Sequence, residues 1–376
     1  MKVVHEHHDL GALTAEVVAD AWTLPEHPVV SGVLGIERAF AIAQAGNQSA
    51  AGILAQDVAV GAPFALERVL DDVGQAFADR AEEAVSRIQD FAAGEGAVIG
   101  WPVIVGARTG CTVVVPPPGT VGGVDVRGGG PGTRETDLLN PLNMVDKVNA
   151  VVLSGGSAYG IDAAQGAVRW LEEHNIGWPV GPNGVVPIVP AAILMDLGFG
   201  GSPKIRPTAD CGYKAAQAAS TAAVPEGNVG AGAGATVGKM GMGRSMKGGL
   251  GSSAIVLPNG LVVAAIVAVN AVGDIVDPST GKVVAGVRTE DGKGLADVRT
   301  LLRSGAMLRR PRAAQPQPGA NTTIGLVATN AKLSKADVSR MALMADDGFA
   351  RSIVPSHTTG DGDTVFFRDV SIRPLR

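Results

Sequence analysis

Cysteine is nearly absent from this chain. There are two, Cys111 and Cys211, far apart. With no Cys-x-x-Cys and no Cys/His zinc spacing, metal-ribbon and redox motifs are excluded. Both cysteines are expected to act as small buried hydrophobes. The chain also lacks an uninterrupted apolar run of about 20 residues, the length a membrane helix needs. Its opening, MKVVHEHHDLGALTAEVV, is too charged for a secretory leader. Positive charge is in deficit: 31 Lys and Arg against 36 Asp and Glu give a net charge of −5. That argues against nucleic acid or a polybasic membrane surface as a partner. Aromatic residues are few, and the 52 glycines follow no period, which excludes collagen and simple repeats. A soluble, cytoplasmic protein without metal or cofactor is expected.

What remains is apolar and glycine-rich. With 376 residues, 46% of them hydrophobic, the chain can bury one large core or two ordinary ones. Residues 1–95 read as a helical extension: LGALTAEVVADAW (10–22) and FALERVLDDVGQAFADRAEEAVSRIQDFAA (64–93) place apolar residues at helical spacing. From residue 96 short β-rich runs alternate with Gly/Pro turns: AVIGWPVIVGA, GCTVVVPPPG, AVVLSGG, GVVPIVPAAIL, SSAIVLPNG and LVVAAIVAVNAVGDIV. Helical patterns interleave at 160–174, 210–223 and 334–353, the last opened by Ser334 as N-cap with Asp337 three positions on. Several strands are continuously apolar, so their sheets are covered on both faces. A layered α/β architecture follows. Residues 303–320, RSGAMLRRPRAAQPQPGA, lack apolar periodicity and read as an exposed linker.

Most candidate chemistry fails on inspection. AGAGATVGKM (231–240) resembles a phosphate-binding loop, but Ala233 and Met240 stand where that loop needs Gly and Ser or Thr. GGSAYG has Tyr159 where a serine-hydrolase elbow needs its second Gly. His174 closes a helix and reads as its C-terminal cap. HEHH (5–8) reads as solvated, and Asp361-Gly362-Asp363 lacks the rest of a calcium loop. Asn321-Thr322 is different. A linker ends there and a β-branched strand, TTIGLVATNA, begins. A threonine hydroxyl needs a base beside it, and an N-terminal threonine supplies its own α-amine, whose reference pKa is about 7.7–8.0. Thr322 Oγ attacking the Asn321 carbonyl would cut the chain and free that amine. On these residues alone, an ordinary loop-to-strand boundary fits equally, and Asn321-Thr322-Thr323 is also a glycosylation sequon, idle without a secretory leader.

Longer stretches carry a resemblance. These are RTGCTVVVPPPGTVGGVDVRGGGPGTRETDLLNP (108–141), AVVLSGGSAYGIDAAQGAVRWLEE (150–173), VGAGAGATVGKMGMGRSMKGGLGSSA (229–254), VVAAIVAVNAVGDIVDPSTG (262–281) and NTTIGLVATNAKLSK with SIVPSHTTGDGDTVF (321–365). Together, over about residues 100–370, they resemble the DmpA-like aminopeptidases and their relatives, the nylon-oligomer (6-aminohexanoate oligomer) hydrolases, which are self-cleaving N-terminal-nucleophile enzymes. The resemblance implies a four-layer α/β/β/α sandwich and assembly as a homotetramer or larger. It implies a hydrolase domain over 96–376, cut after Asn321 into an α chain, 1–321, and a β chain, 322–376, too short to hold a core alone.

By motif, the resemblance makes Thr322 the nucleophile, Lys239 (VGKM) its supporting lysine and Asn270 (AVNAVGD) the oxyanion donor, worth about 3 kcal/mol in comparable holes. Tyr159 (SAYG) becomes a substrate-pocket residue. Asp361 and Asp363 become a carboxylate pair on one face of an extended segment, one to orient the Thr322 amine and the other the lysine or a water. The aminopeptidase branch has serine at the first of that pair, so the chain leans there toward the nylon-hydrolase pattern. The implied function is an amide hydrolase acting as an aminopeptidase on short peptides or related small amides. Alternatives are a nylon-type endo-amidase, acyl transfer as in ornithine acetyltransferases, or an uncleaved, non-catalytic oligomeric member. The chain ends without the helix that usually follows DGDTVF, and LGALTAEVVADAW resembles that helix, so the extension is expected to occupy its place.

Overall fold

The computed structural model describes residues 98–100, 108–305 apart from 198, 200, 201 and 242, and 321–369. The expected helical extension over 1–95, its proposed substitution for a terminal helix, and most of the 303–320 linker lie outside the described residues. Ten strands form two five-stranded sheets. They are β1 (Val98–Gly100), β2 (Cys111–Val115), β3 (Gly122–Val126), β4 (Thr133–Arg134), β5 (Val151–Ser154), β6 (Ala191–Ile193), β7 (Gly249–Val256), β8 (Val262–Asn270), β9 (Thr322–Thr329) and β10 (Thr364–Asp369). The first sheet runs β1-β2-β5-β6-β4 and the second β7-β8-β9-β10-β3. β9 is the central strand of the second sheet, antiparallel to β8 on one side and parallel to β10 on the other.

Period-two alternation explains how the sheets stack. On β9, Ile324 and Leu326 join a core with Ile266, Ala268 and Phe366 from their own sheet and Val114, Val151, Leu153 and Leu194 from the first. The alternate residues, Val327 on β9, Val263, Ala265, Val267 and Val269 on β8, and Val365 and Phe367 on β10, pack instead against Val338, Ala342, Ala345 and Phe349 of helix α4 (Lys335–Ser352). On the first sheet, Val113 and Val152 turn outward onto Ala163, Ala164, Ala167 and Leu171 of α1 (Asp162–Glu173) and onto Ala215 and Ala216 of α2 (Ala209–Gln217). Three cores therefore separate four layers, helices outside and sheets inside. Strands such as β8, apolar from Val262 to Val269, carry no polar face because both their faces are covered. Burying one side chain such as Phe349, fully inaccessible, stabilises the fold by about 1.5–3 kcal/mol.

The helix ends follow their sequence signals. Ser334 caps α4: its hydroxyl accepts from Asp337 N–H while the Asp337 carboxylate accepts from Ser334 N–H. His174 closes α1 with Nδ1 2.7 Å from the Trp170 carbonyl, and Asn175 follows at φ 55°, the left-handed turn that ends many helices. Helix α2 stops at Gln217 rather than 223, because Ser220 and Thr221 give it nothing apolar to bury. Val298–Arg303 forms a short helix, α3, capped by Asp297, which ends where the expected linker begins.

One expectation is corrected. Cys111 and Cys211 are both buried, but they form a disulfide joining β2 to α2 rather than standing as separate hydrophobes. α2 lies across the outer face of β2 and sets Cys211 over Cys111, a proximity that no local spacing encodes.

Candidate active site

Strand register assembles the site at one end of the second sheet. In the antiparallel β8·β9 ladder, Asn270, the last residue of β8, pairs with Thr322, the first of β9. On the other flank the parallel β9·β10 pairing is extended by a bridge between Asn321 and Asp361. Asn270, Asn321, Thr322, Asp361 and Asp363 thus converge, and all are at most 2% exposed.

The Asn321 carbonyl is the meeting point. It accepts the Gly362 N–H at 3.0 Å and the Thr322 hydroxyl at 2.5 Å. Asp363 lies alongside: Oδ1 accepts the Thr323 N–H at 2.7 Å and Oδ2 the His357 N–H at 3.1 Å. It therefore pins the residue after the threonine. Asp361 Oδ2 accepts the Thr358 N–H at 2.8 Å. Burial, reinforced by the neighbouring Asp363 charge, pushes the Asp361 carboxyl up to about 6; a negative charge deprived of water beside another carboxylate holds its proton longer.

Lys239 enters from the loop after the short strand Thr236–Val237. Its N–H is tied to the Val272 carbonyl and that of Gly238 to Gly273. Gly238 sits at φ 69° with its α-carbon against the Gly286 backbone, where a side chain has no room. The Lys239 amine donates to the Asn270 carbonyl at 2.8 Å and to Asn270 Oδ1 at 2.7 Å. Burial lowers its pKa from 10.5 to about 7, against the opposing pull of Asp361, Asp196 and Asp363. At neutral pH an appreciable fraction of this amine is uncharged and able to take a proton.

Asn270 Oδ1 also accepts the Thr236 N–H at 3.0 Å, so its amide nitrogen faces the other way and donates to the Met195 carbonyl at 3.1 Å. The donor expected to serve an oxyanion is thus engaged with a backbone carbonyl. The next residue, Asp196, accepts the Gly156 N–H at 2.6 Å. That contact anchors the turn bearing Tyr159, which is 59% exposed and carries the Arg206 guanidinium 3.6 Å from its ring centroid. Tyr159 therefore stands outside the buried cluster, linked to it through Gly156, Asp196, Met195 and Asn270.

Two contributors escape the linear reading. The Gly362 amide is invisible until β10 is laid beside β9. Asp346 did leave a signal: it shares the buried face of α4 with Ala342, Ala345 and Phe349, an acidic residue on an apolar stripe.

The profile of peptidase family S58 matches residues 95–369. A Mycobacterium leprae protein described as an uncharacterized aminopeptidase is 50% identical over 268 residues, covering 69% of this chain and 70% of its own. A 6-aminohexanoate-oligomer endohydrolase from Paenarthrobacter ureafaciens is 30% identical over 266 residues, 69% and 68% of the two chains. Among solved structures, a Burkholderia sp. beta-aminopeptidase aligns with a TM-score of 0.51 at 20% identity, over 74% of this chain and 72% of its own. The L-aminopeptidase D-Ala-esterase/amidase from Ochrobactrum anthropi, described as a variant of the Ntn-hydrolase fold, aligns with a TM-score of 0.53 at 19% identity, over 75% and 74%.

Proposed function

The chain belongs to peptidase family S58 and is a hydrolase of peptide or amide bonds, and on that premise we propose that it activates itself by cutting before Thr322 and then works as an aminopeptidase on short peptides. The observation that carries this reading is the doubly held Asn321 carbonyl, with the Gly362 N–H and the Thr322 hydroxyl both on its oxygen.

Rotation about the Thr322 Cα–Cβ bond turns Oγ onto the Asn321 carbonyl carbon. The new C–O bond pushes charge onto the carbonyl oxygen, where the Gly362 N–H steadies it. The Oγ proton passes to Lys239, which rests on the ladder partner of Thr322, and then to the Thr322 nitrogen as the C–N bond breaks. The ester left between Asn321 and Thr322 Oγ is hydrolysed by water, giving an Asn321 carboxylate and a free Thr322 α-amine. In turnover that amine, with Lys239 beside it, takes the Oγ proton as Oγ attacks a substrate carbonyl. The departing amine receives a proton, and water clears the acyl ester. Once the cut relaxes the strand end, Asn270 exchanges its Met195 partner for the substrate oxyanion. Tyr159, exposed beneath the Arg206 guanidinium, is assigned to contact the substrate.

Intact-mass spectrometry of wild type and Thr322→Ala tests the reading, together with hydrolysis of aminoacyl p-nitroanilides. Two fragments meeting at 321/322, and amide hydrolysis only in the cut protein, are expected. A folded wild type that stays whole yet turns over, or a Thr322→Ala protein as active as wild type, overturns it. Asp361, where the aminopeptidase branch has serine, favours a second reading, endo-hydrolysis of linear amide oligomers. Release of internal fragments from 6-aminohexanoate oligomers in preference to peptides would select it.

A further inference from the structure

Behind the site lies a group of charges that self-cleavage and hydrolysis, as set out above, do not use. Asp346, on α4, is completely buried, and among the described residues neither of its carboxylate oxygens receives a hydrogen bond. A buried carboxylate without donors is unfavourable unless a charge faces it. Two cationic side chains do: His357 Nε2 at 3.8 Å and Arg127 Nε at 3.5 Å. The same imidazole reaches forward, with Nδ1 3.0 Å from Asp363 Oδ2. His357 is held there in a left-handed conformation, φ 51°, a strain that surrounding structure must support in a residue other than glycine. The line therefore runs from Asp346 through His357 and Asp363 to the Thr323 N–H, the first backbone group after the nucleophile.

We propose that His357 is a positioning residue for this site: as an imidazolium clamped between Asp346 and Asp363, it fixes the carboxylate that seats the start of β9 and thereby aims Thr322. The proposal rests on Thr322 being the nucleophile. The need for such a clamp follows from the cut, because a strand that begins at its own nucleophile has lost the covalent tether on one side. What then holds Thr322 is the ladder to Asn270 and the Asp363 bond at the next residue.

Burial works against a charged imidazole at His357, but Asp363 and Asp346 outweigh it, with Arg127 opposing, so its pKa is raised above the ordinary 6.5. Burial likewise pushes Asp346 up to about 8, with Asp125 and Asp363 adding to the rise and His357 and Arg127 opposing it. Arg127 is itself shared with Asp125 and Asp347. Because the His357 value is raised, the Asp363 side of the clamp holds at low pH and opens as pH climbs through the His357 value, while Asp346, raised to about 8, adds its charge only as it loses its own proton. Turnover is then expected to fall on the alkaline side when the imidazole loses its proton.

The test compares wild type, His357→Gln, Asp346→Asn and His357→Lys on one peptide p-nitroanilide between pH 6 and 10. His357→Gln should lower kcat at least tenfold with KM within twofold, and should abolish the alkaline fall. His357→Lys, which restores a cation, should recover part of the rate. A folded His357→Gln protein whose pH profile superimposes on that of wild type overturns the proposal. Nitrogen NMR titration of the histidines in the uncut Thr322→Ala chain reads the clamp directly and needs no activity. A His357 midpoint above 6.5 that falls by about one pH unit in Asp346→Asn supports it, and a midpoint that does not move refutes it. Loss of the nucleophile assignment would show separately, as a Thr322→Ala protein indistinguishable from wild type.

Discussion

Replacing Lys239 with Met separates what the amine does for the fold from what it does for the chemistry. Burial takes the lysine from 10.5 down to about 7. At about 1.36 kcal/mol per pH unit, the charged form costs the folded chain on the order of 5 kcal/mol below that value. Against this, the amine satisfies the Asn270 carbonyl at 2.8 Å, and stranding a buried acceptor costs about 1–3 kcal/mol. Asn270 Oδ1 keeps the Thr236 N–H, so of these two acceptors the carbonyl is the one stranded. The balance makes Lys239→Met more stable than its parent by roughly 2–4 kcal/mol at pH 6. A lysine depressed on folding destabilises in full below its folded value, and the effect shrinks to nothing as pH approaches the unfolded value near 10.5. The two curves should therefore converge with rising pH and cross before 10.5, where only the lost hydrogen bond remains. Urea titrations of Thr322→Ala with and without Lys239→Met, both uncut, measure this from pH 6 to 10.5. In a chain that retains Thr322, the same substitution should slow fragment appearance and turnover by about 10²-fold or more, the usual worth of a positioned acid–base group. An equal loss of stability at every pH, or cutting at full speed without the amine, would refute the reasoning.

Other substitutions probe the neighbouring supports. Asp363→Ala strands the buried N–H groups of Thr323 and His357 and should cost about 2–6 kcal/mol in denaturant unfolding of the uncut chain, whereas Asp363→Asn, which keeps one acceptor, should cost less. Gly238→Ala forces a side chain into a left-handed position against the Gly286 backbone; a loss of at least about 2 kcal/mol in urea unfolding should come with reduced turnover, because Lys239 is the next residue. Ser334→Ala removes the α4 cap and should lower stability by about 1 kcal/mol with kcat/KM unchanged. Wild-type turnover should rise through about pH 7 as Lys239 loses its proton, a limb that Lys239→Arg should move out of the measurable range.

The sandwich was largely legible because its strands announce it. VVAAIVAVN and TTIGLVAT are β-branched and apolar on both faces, and Ser334 and His174 mark helix ends by local chemistry. Thr322 stood out in the residues themselves, where a Pro/Gln-rich segment meets a buried strand. Its partners did not. That Asn270 faces Thr322 depends on an antiparallel register set by contacts across both sheets, and register is a property of the whole face; only family resemblance put Asn270, Lys239 and the aspartates forward. The disulfide and the Asp346–His357 contact were hidden for a related reason: one joins β2 to a helix 100 residues on, the other folds the loop after α4 back against it, and neither follows from local spacing.

The sheet bearing Thr322 takes β3, β7 and β8 from one side of the 321/322 bond, and its centre, β9, with β10 from the other. In the continuous chain both parts of that sheet belong to one molecule, and re-forming it needs no encounter between separate pieces. Were the bond cut as proposed, the two pieces could not part without tearing out the middle strand, and once parted they would have to find each other by diffusion. Cut as proposed, the protein should thus lose more melting temperature on dilution than the uncut Thr322→Ala chain, and its working lifetime would be set by how slowly it opens rather than by how readily it recovers.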